Sequence, residues 1–204
     1  MVKKHFHSSI TSLALTLTLT ALVTMSVASA QTRVYSFDHE WAQIFINQDG
    51  TIDLTYNVTL TLDSGDDINY VWLGQPNGDF DVGQAFDQYS HQLQAAPDNS
   101  GNDYRVKVTL FQPLTAGNTI WFTVSTNVGH MIFNDTQNQG NLGMQFAPEW
   151  QQVPISDVRI QIVLPPNVTA NEVKTPPNYY WNSTSEIDGR LAVYWQTPVL
   201  QPNQ

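Results

Sequence analysis

The chain has 204 residues, with 18 acidic side chains against eight basic ones, and no cysteine. A formal charge of −10 argues against nucleic acid as a partner, because an acidic surface repels phosphate backbones. Without cysteine there can be no disulfide and no thiolate metal site, so stability has to come from packing.

Residues 1–30 read as a cleavable secretory signal. Lys3 and Lys4 form a positive start, residues 10–27 are apolar apart from small Thr and Ser, and Ala28-Ser29-Ala30 offers small residues at a cleavage site. The alternative is an uncleaved anchor, since a bilayer span needs about 20 residues. The scattered threonines favour cleavage, and a lipid-modified cysteine is excluded. Cleavage before Gln31 leaves residues 31–204 as one β-sandwich domain. Losing Lys3 and Lys4 leaves six basic residues against 18 acidic ones, a formal charge of −12.

In residues 33–47, Val34, Tyr35, Phe37, Trp41, Ile44, Phe45 and Ile46 predict a first strand that ends at an Asp49-Gly50 turn. The clearest signal follows in residues 51–62. Ile52, Leu54, Tyr56, Val58, Leu60 and Leu62 alternate with Asp, Thr and Asn, the pattern of a half-buried strand belonging to consecutive hairpins. In residues 68–73, Ile68, Tyr70 and Trp72 face one way and Val71 and Leu73 the other, which predicts a central or doubly covered strand. Residues 80–93 have mixed spacings that suit a strand, a short helix or a packed loop, and 95–103 read as a polar loop.

Tyr104, Val106, Val108 and Leu110 define the next strand, and Ile120, Phe122 and Val124 another. Across the turn at 113–118 these two are expected to pair as a hairpin. Residues 129–143 read as a long connection, with Met144 and Phe146 beginning a strand that Pro148 ends. Val158, Ile160, Ile162 and Leu164 give a further strand closed by Pro165-Pro166, and the last runs from 190 to 196 after the Asp188-Gly189 turn. No helical period is sustained beyond residue 30. The fold class is therefore all-β, an antiparallel β-sandwich of immunoglobulin-like architecture. Leu54, Tyr56, Val58, Val106, Val108, Phe122, Val124, Ile160 and Ile162 are its expected common core.

Four stretches read together carry a family resemblance: Ile46-Asn47-Gln48-Asp49-Gly50, the run Ile68-Asn69-Tyr70-Val71-Trp72-Leu73-Gly74-Gln75-Pro76-Asn77-Gly78, Phe146-Ala147-Pro148-Glu149-Trp150, and residues 158–166. They resemble the extracellular N-terminal β-sandwich of a poorly characterised family of prokaryotic secreted or membrane-anchored proteins. The resemblance implies a β-sandwich at the cell surface and no particular activity.

Candidate chemistry is sparse. In an extended Asp38-His39-Glu40, Asp38 and Glu40 face one side and His39 the other, so the three cannot close on one ion. Asp63, Asp66 and Asp67, or Asn77, Asp79 and Asp81, sit in turns that offer oxygens to calcium but lack the EF-hand spacing. Ser90-His91 lacks a nucleophile elbow. Glu149 beside Trp150 has the surroundings that raise a carboxyl pKa, yet glycoside hydrolysis needs a second placed carboxylate. No cofactor or metal is implied.

Asn57, Asn134, Asn167 and Asn182 each open a glycosylation sequon and are candidate glycan-attachment sites. The expected function is a non-enzymatic, secreted or cell-surface module with a structural or adhesive role, whose partners are surface proteins or glycans. Membrane contact would come only through an uncleaved signal or a partner. The competing reading is a carbohydrate-binding module, in which Trp121, Trp150, Trp181 and Tyr194 stack on sugar faces.

Overall fold

The computed structural model describes residues 32–101, 103–136, 138–147 and 153–202. The expected signal, Glu149 and Trp150 lie outside them. Among the described residues the chain is built from strands: β1 (Val34–Ile46), β2 (Ile52–Ser64), β3 (Ile68–Gly74), β4 (Phe80–Asp87), β5 (Gln94–Pro97), β6 (Arg105–Leu114), β7 (Asn118–Val128), β8 (Ile132–Asn134), β9 (Leu142–Met144), β10 (Val158–Val163), β11 (Ser183–Ile187) and β12 (Arg190–Thr197). A short 3-10 turn, Ala170–Glu172, is closed by a capping box between Thr169 and Glu172.

Seven strands form a large sheet in the order β11-β12-β10-β1-β2-β7-β4, three form a small sheet in the order β3-β6-β5, and β8 and β9 make a separate hairpin. The two sheets pack face to face. Leu54, Tyr56, Val58, Leu60, Phe122 and Val124 from the large sheet share one core with Val71, Leu73, Val106, Val108 and Leu110 from the small one. The tight turns follow their residues: Gly50 (φ 86°) lies between β1 and β2, and Asp188 (φ 50°) with Gly189 (φ 70°) makes a two-residue hairpin turn of the primed kind between β11 and β12.

Several expectations are corrected. β6 and β7 do not pair: β7 lies between β2 and β4, whereas β6 joins β3 and β5, so the turn at 113–118 carries the chain from one sheet to the other. The organising strand β2 makes a hairpin with β1 but none with β3, which also changes sheet. β3 is an edge strand, not a central one, and turns Tyr70 and Trp72 outward at 37% and 36% exposure. One neighbouring pair, β1 with β10, is parallel. β10 reaches β1 from far along the chain, so no tight turn imposes the antiparallel sense. The expected polar loop at 95–103 holds most of β5, the expected connection at 129–143 holds β8 and the start of β9, and β11 precedes the Asp188-Gly189 turn.

Ile160 and Ile162 are half-buried rather than core residues, although Val158 and Val163 on the same strand are buried. Strands lie about 4.8 Å apart, so three of them cannot cover seven. The segment between β7 and β10 supplies the remaining cover with Met131 and Ile155, and with the half-buried Met144, Phe146 and Val153.

Candidate functional site

Each sheet presents an outer face, and the two differ in how their polar groups are used. On the large sheet the register sets Arg159, Trp41, Asn57 and Thr123 in one row, with His39, Thr59 and Trp121 in the next. Most of the polar side chains there satisfy one another. His39 Nε2 lies 3.1 Å from Asn57 Oδ1 and 3.0 Å from Thr59 Oγ1, and its ring stacks on Trp41 at 4.3 Å. Trp41 donates to Asp157 at 3.2 Å and carries the Arg159 guanidinium 4.3 Å over its ring. Gln43 donates to Gln161 at 2.8 Å, and Asn127 to Asp53 at 2.7 Å.

A bulge between Phe37 and His39 sets the facing of the acidic cluster. Asp38 and His39 both reach partners on the outer face, Asp38 through Ser36 and Thr61, while Glu40 is turned inward and buried at 1% exposure. Strict alternation predicted Asp38 and Glu40 together; the extra residue reverses that. Among the described residues no three His, Asp or Glu side chains are grouped to hold a metal ion.

The small sheet is arranged differently. β3 and β6 place Tyr70 opposite Thr109, Trp72 opposite Lys107, and Gly74 opposite Arg105; β5 adds Gln94 beside Thr109 and Ala96 beside Lys107. Because side chains alternate, all of these share the outer face. Tyr70 and Trp72 meet edge to face at 4.8 Å, Lys107 lies 4.1 Å over the Tyr70 ring, and Arg105 lies 4.5 Å over the Trp72 ring. Trp72 Nε1 donates to the Asp98 carboxylate, fixing the indole. Next to this ladder is an open depression of about 310 Å³ lined by Gln94, Ala96, Pro97, Asp98, Lys107 and Thr109.

The two cations have different duties. Arg105 donates to Asp103 at 2.9 Å and to the Asp98 carbonyl at 3.0 Å, so its guanidinium is committed. Among the described residues no carboxylate lies within ion-pairing distance of the Lys107 ammonium, and the side chains of Gln94 and Thr109 make no hydrogen bond to protein. Three residues able to donate therefore line the depression, Gln94 and Thr109 with no side-chain hydrogen bond to protein and Lys107 with its ammonium over the Tyr70 ring and no carboxylate partner among the described residues.

The residues singled out from sequence are scattered. Trp121 is exposed on the outer face of β7, and Tyr194 is half-buried on the same face of β12. Four strand spacings separate them, about 20 Å. Trp181 is half-buried before β11. Asn57 is half-buried in the middle of β2; Asn134, Asn167 and Asn182 are exposed, and Asn182 Oδ1 accepts the Gln196 amide at 2.7 Å. His91 of Ser90-His91 contacts Asp87 through Nδ1 at 2.9 Å and stacks on Phe111 at 4.1 Å. The small-sheet site was missed because Tyr70 and Trp72, read as a second apolar face, suggested burial. The signal that marks it is the Arg105-Val106-Lys107 alternation, which places two of the six basic residues beyond residue 30 on one short strand face.

The carboxyl groups with depressed pKa lie elsewhere and serve local structure. Burial pushes Asp87 and Asp157 up, but hydrogen bonds from His91 and Tyr89 to the first, and from Arg159, Trp41 and Gln196 to the second, outweigh it and hold both below the usual carboxylate range. Asp49 is lowered by the backbone and hydroxyl of Thr51, and Glu172 by those of Thr169.

A comparison with curated proteins finds no match. Solved structures of similar fold include an M1 zinc metallopeptidase from Deinococcus radiodurans, with a TM-score of 0.53 at 12% identity, covering 83% of this chain and 40% of the peptidase. Native leukotriene A4 hydrolase from Saccharomyces cerevisiae aligns with a TM-score of 0.53 at 8% identity, covering 89% of this chain and 31% of the hydrolase. The chain thus spans less than half of either, and at such identity the likeness is one of fold. Among the described residues no helix is long and apolar enough to cross a membrane. The family described as "Predicted membrane protein (DUF2207) N-terminal domain" matches residues 11–204, and the chain belongs to that family.

Proposed function

We propose that this chain is a non-enzymatic, exported recognition module, held at the cell surface or outside the cell as part of a membrane-associated protein, with an adhesive role. Its ligand-binding surface is the outer face of the small sheet. One observation carries the reading. Gln94 and Thr109 line an open depression with no side-chain hydrogen bond to protein, and Lys107 beside them has no carboxylate partner among the described residues, next to the outward Tyr70 and Trp72, whereas most polar groups on the large sheet's outer face pair internally. Polar groups on a folded surface bond to water, and a ligand that replaces that water gains most where a rigid aromatic ring supplies apolar contact beside them. The non-enzymatic part is supported by the depressed carboxylates, each engaged in holding a turn or, for Asp157, in joining β1, β10 and β12, and none lining the depression.

The test is retention of the exported chain on intact cells and on a panel of surface polysaccharides, with the supernatant assayed for released sugars. Saturable retention, lost in Trp72→Ala while the variant still unfolds cooperatively from a folded state, is the expected result. Retention indifferent to Trp72→Ala and Lys107→Met would remove the small sheet from the function. Release of sugar by the wild-type chain would end the non-enzymatic claim.

A further inference from the structure

Resting on that reading, we infer that the small-sheet site takes an acidic saccharide, with Lys107 reading the carboxylate of a uronic acid residue. The depression is chemically mixed, and the mixture narrows the ligand. Lys107, Gln94 and Thr109 can all donate hydrogen bonds, and Lys107, its ammonium seated over the Tyr70 ring, adds a positive charge that no carboxylate within ion-pairing distance neutralises among the described residues. That favours an anion. Asp98 lines the same depression, and its carboxylate accepts from Trp72 Nε1. An anion without hydroxyl groups, such as inorganic phosphate, would meet repulsion from Asp98 with nothing to offer it. A ligand bearing both a carboxylate and hydroxyl donors satisfies both ends of the depression at once.

Two further features favour a sugar over the carboxylate end of a peptide. The depression lies on the sheet face, between β5 and β6, and an extended peptide that adds a strand would use an edge instead. Trp72 is held by Asp98 and by Arg105, the latter with only 22% of its side chain exposed, so the indole has a fixed orientation beside the depression. The part of that ring left exposed beside Arg105 and Tyr70 is a flat apolar surface that suits the C–H face of a pyranose. The long-range field opposes any polyanion, because the chain beyond residue 30 carries a formal −12. Recognition must then come from contact, which makes it selective for the right acid and poor at gathering anions in general.

The experiment measures binding to the full exported chain by calorimetry, using short oligogalacturonides, their methyl esters, and a peptide as the free acid and as the C-terminal amide. The free oligogalacturonide is expected to bind saturably and its methyl ester about tenfold or more weakly, as for loss of one charge-assisted hydrogen-bonded pair. Lys107→Met should erase the difference between acid and ester without altering thermal unfolding, and Trp72→Ala should weaken both. Equal binding of acid and ester, still dependent on Trp72, would overturn the acidic assignment and leave the recognition face standing. Binding of the peptide acid in preference to the oligogalacturonide would overturn the saccharide. If no ligand of the polysaccharide panel binds in a way that depends on Trp72, the recognition face itself falls.

Discussion

Asp87 sits at 5% exposure at the end of β4, and its carboxylate accepts the backbone amides of Tyr89 and His91, both at 2.9 Å, as well as facing His91 Nδ1. These bonds shape the tight turn that carries Ser90 at φ 65°. A folded-state pKa held below the unfolded value of about 3.9 contributes stability that is present above that pH and is lost as pH falls through the folded pKa. Asp87→Asn, which keeps the shape but gives up the charge and an acceptor, should cost about 1–3 kcal/mol at neutral pH. In urea titrations across pH, the gap between variant and wild type should narrow below about pH 4. A constant gap would show that the charge is not what stabilises the turn. In the core, Val108 is fully buried between the sheets. Val108→Asp should cost about 3 kcal/mol or more in the same assay, because a carboxylate would enter an apolar layer without a partner.

The strands differ in how firmly they are held. β2 is flanked by β1 and β7 and buries every second side chain from Ile52 to Leu62, whereas β11 is an edge strand with four of its five residues exposed, and β8 and β9 pair only with each other. Local opening follows buried contact, so amide hydrogen exchange should be slowest in β2 and the facing parts of β1 and β7, and fastest in β8, β9 and β11. Equal protection in β11 and β2 would contradict this ordering. The turn into β12 allows a clean test of backbone conformation. A Cβ added at Gly189 would meet open space, yet its φ of 70° is one that other residues adopt at a cost. Gly189→Ala should therefore lose about 1 kcal/mol by thermal unfolding, with no loss of packing to confuse the reading.

At the scale of the molecule, Ile155 ties the start of the domain to its end. It bridges Phe37 on β1 and Leu200 after β12, so both ends of the described fold emerge at one end of the large sheet. The Asp49-Gly50 turn and the β8–β9 hairpin belong to the other end, where Gly50 lies against Ile132. The proposal of export carries its own prediction. Intact mass of the exported protein should correspond to a chain beginning at Gln31, and a mass that retains residues 1–30 would favour an uncleaved anchor. The small sheet's outer face lies along the side of the sandwich, so substitutions that remove its ligand should leave the fold intact. Lys107→Met is expected to change unfolding free energy by no more than about 1 kcal/mol, and Trp72→Ala, which also gives up the Asp98 hydrogen bond and the Arg105 and Tyr70 contacts, by about 1–2 kcal/mol with the fold retained. A larger loss would mean that the Tyr70, Trp72, Arg105 and Lys107 ladder is a structural element first.

Period-two alternation is a local property, and it was enough to identify β2, β6, β7 and the β-sandwich class, because each strand must bury one face whatever lies next to it. Leu54, Tyr56, Val58, Val106, Val108, Phe122 and Val124 accordingly share the core that alternation assigned to them. Which strand lies beside which is a different matter. β6 and β7 alternate in the same way whether they pair edge to edge or face each other across a core, so only the tertiary structure could place them in separate sheets. The same holds for Tyr70 and Trp72, whose apolar rings looked fit for burial until β3 proved to have no third layer over it. The depression depends on that choice, since it exists only where β5 and β6 lie side by side.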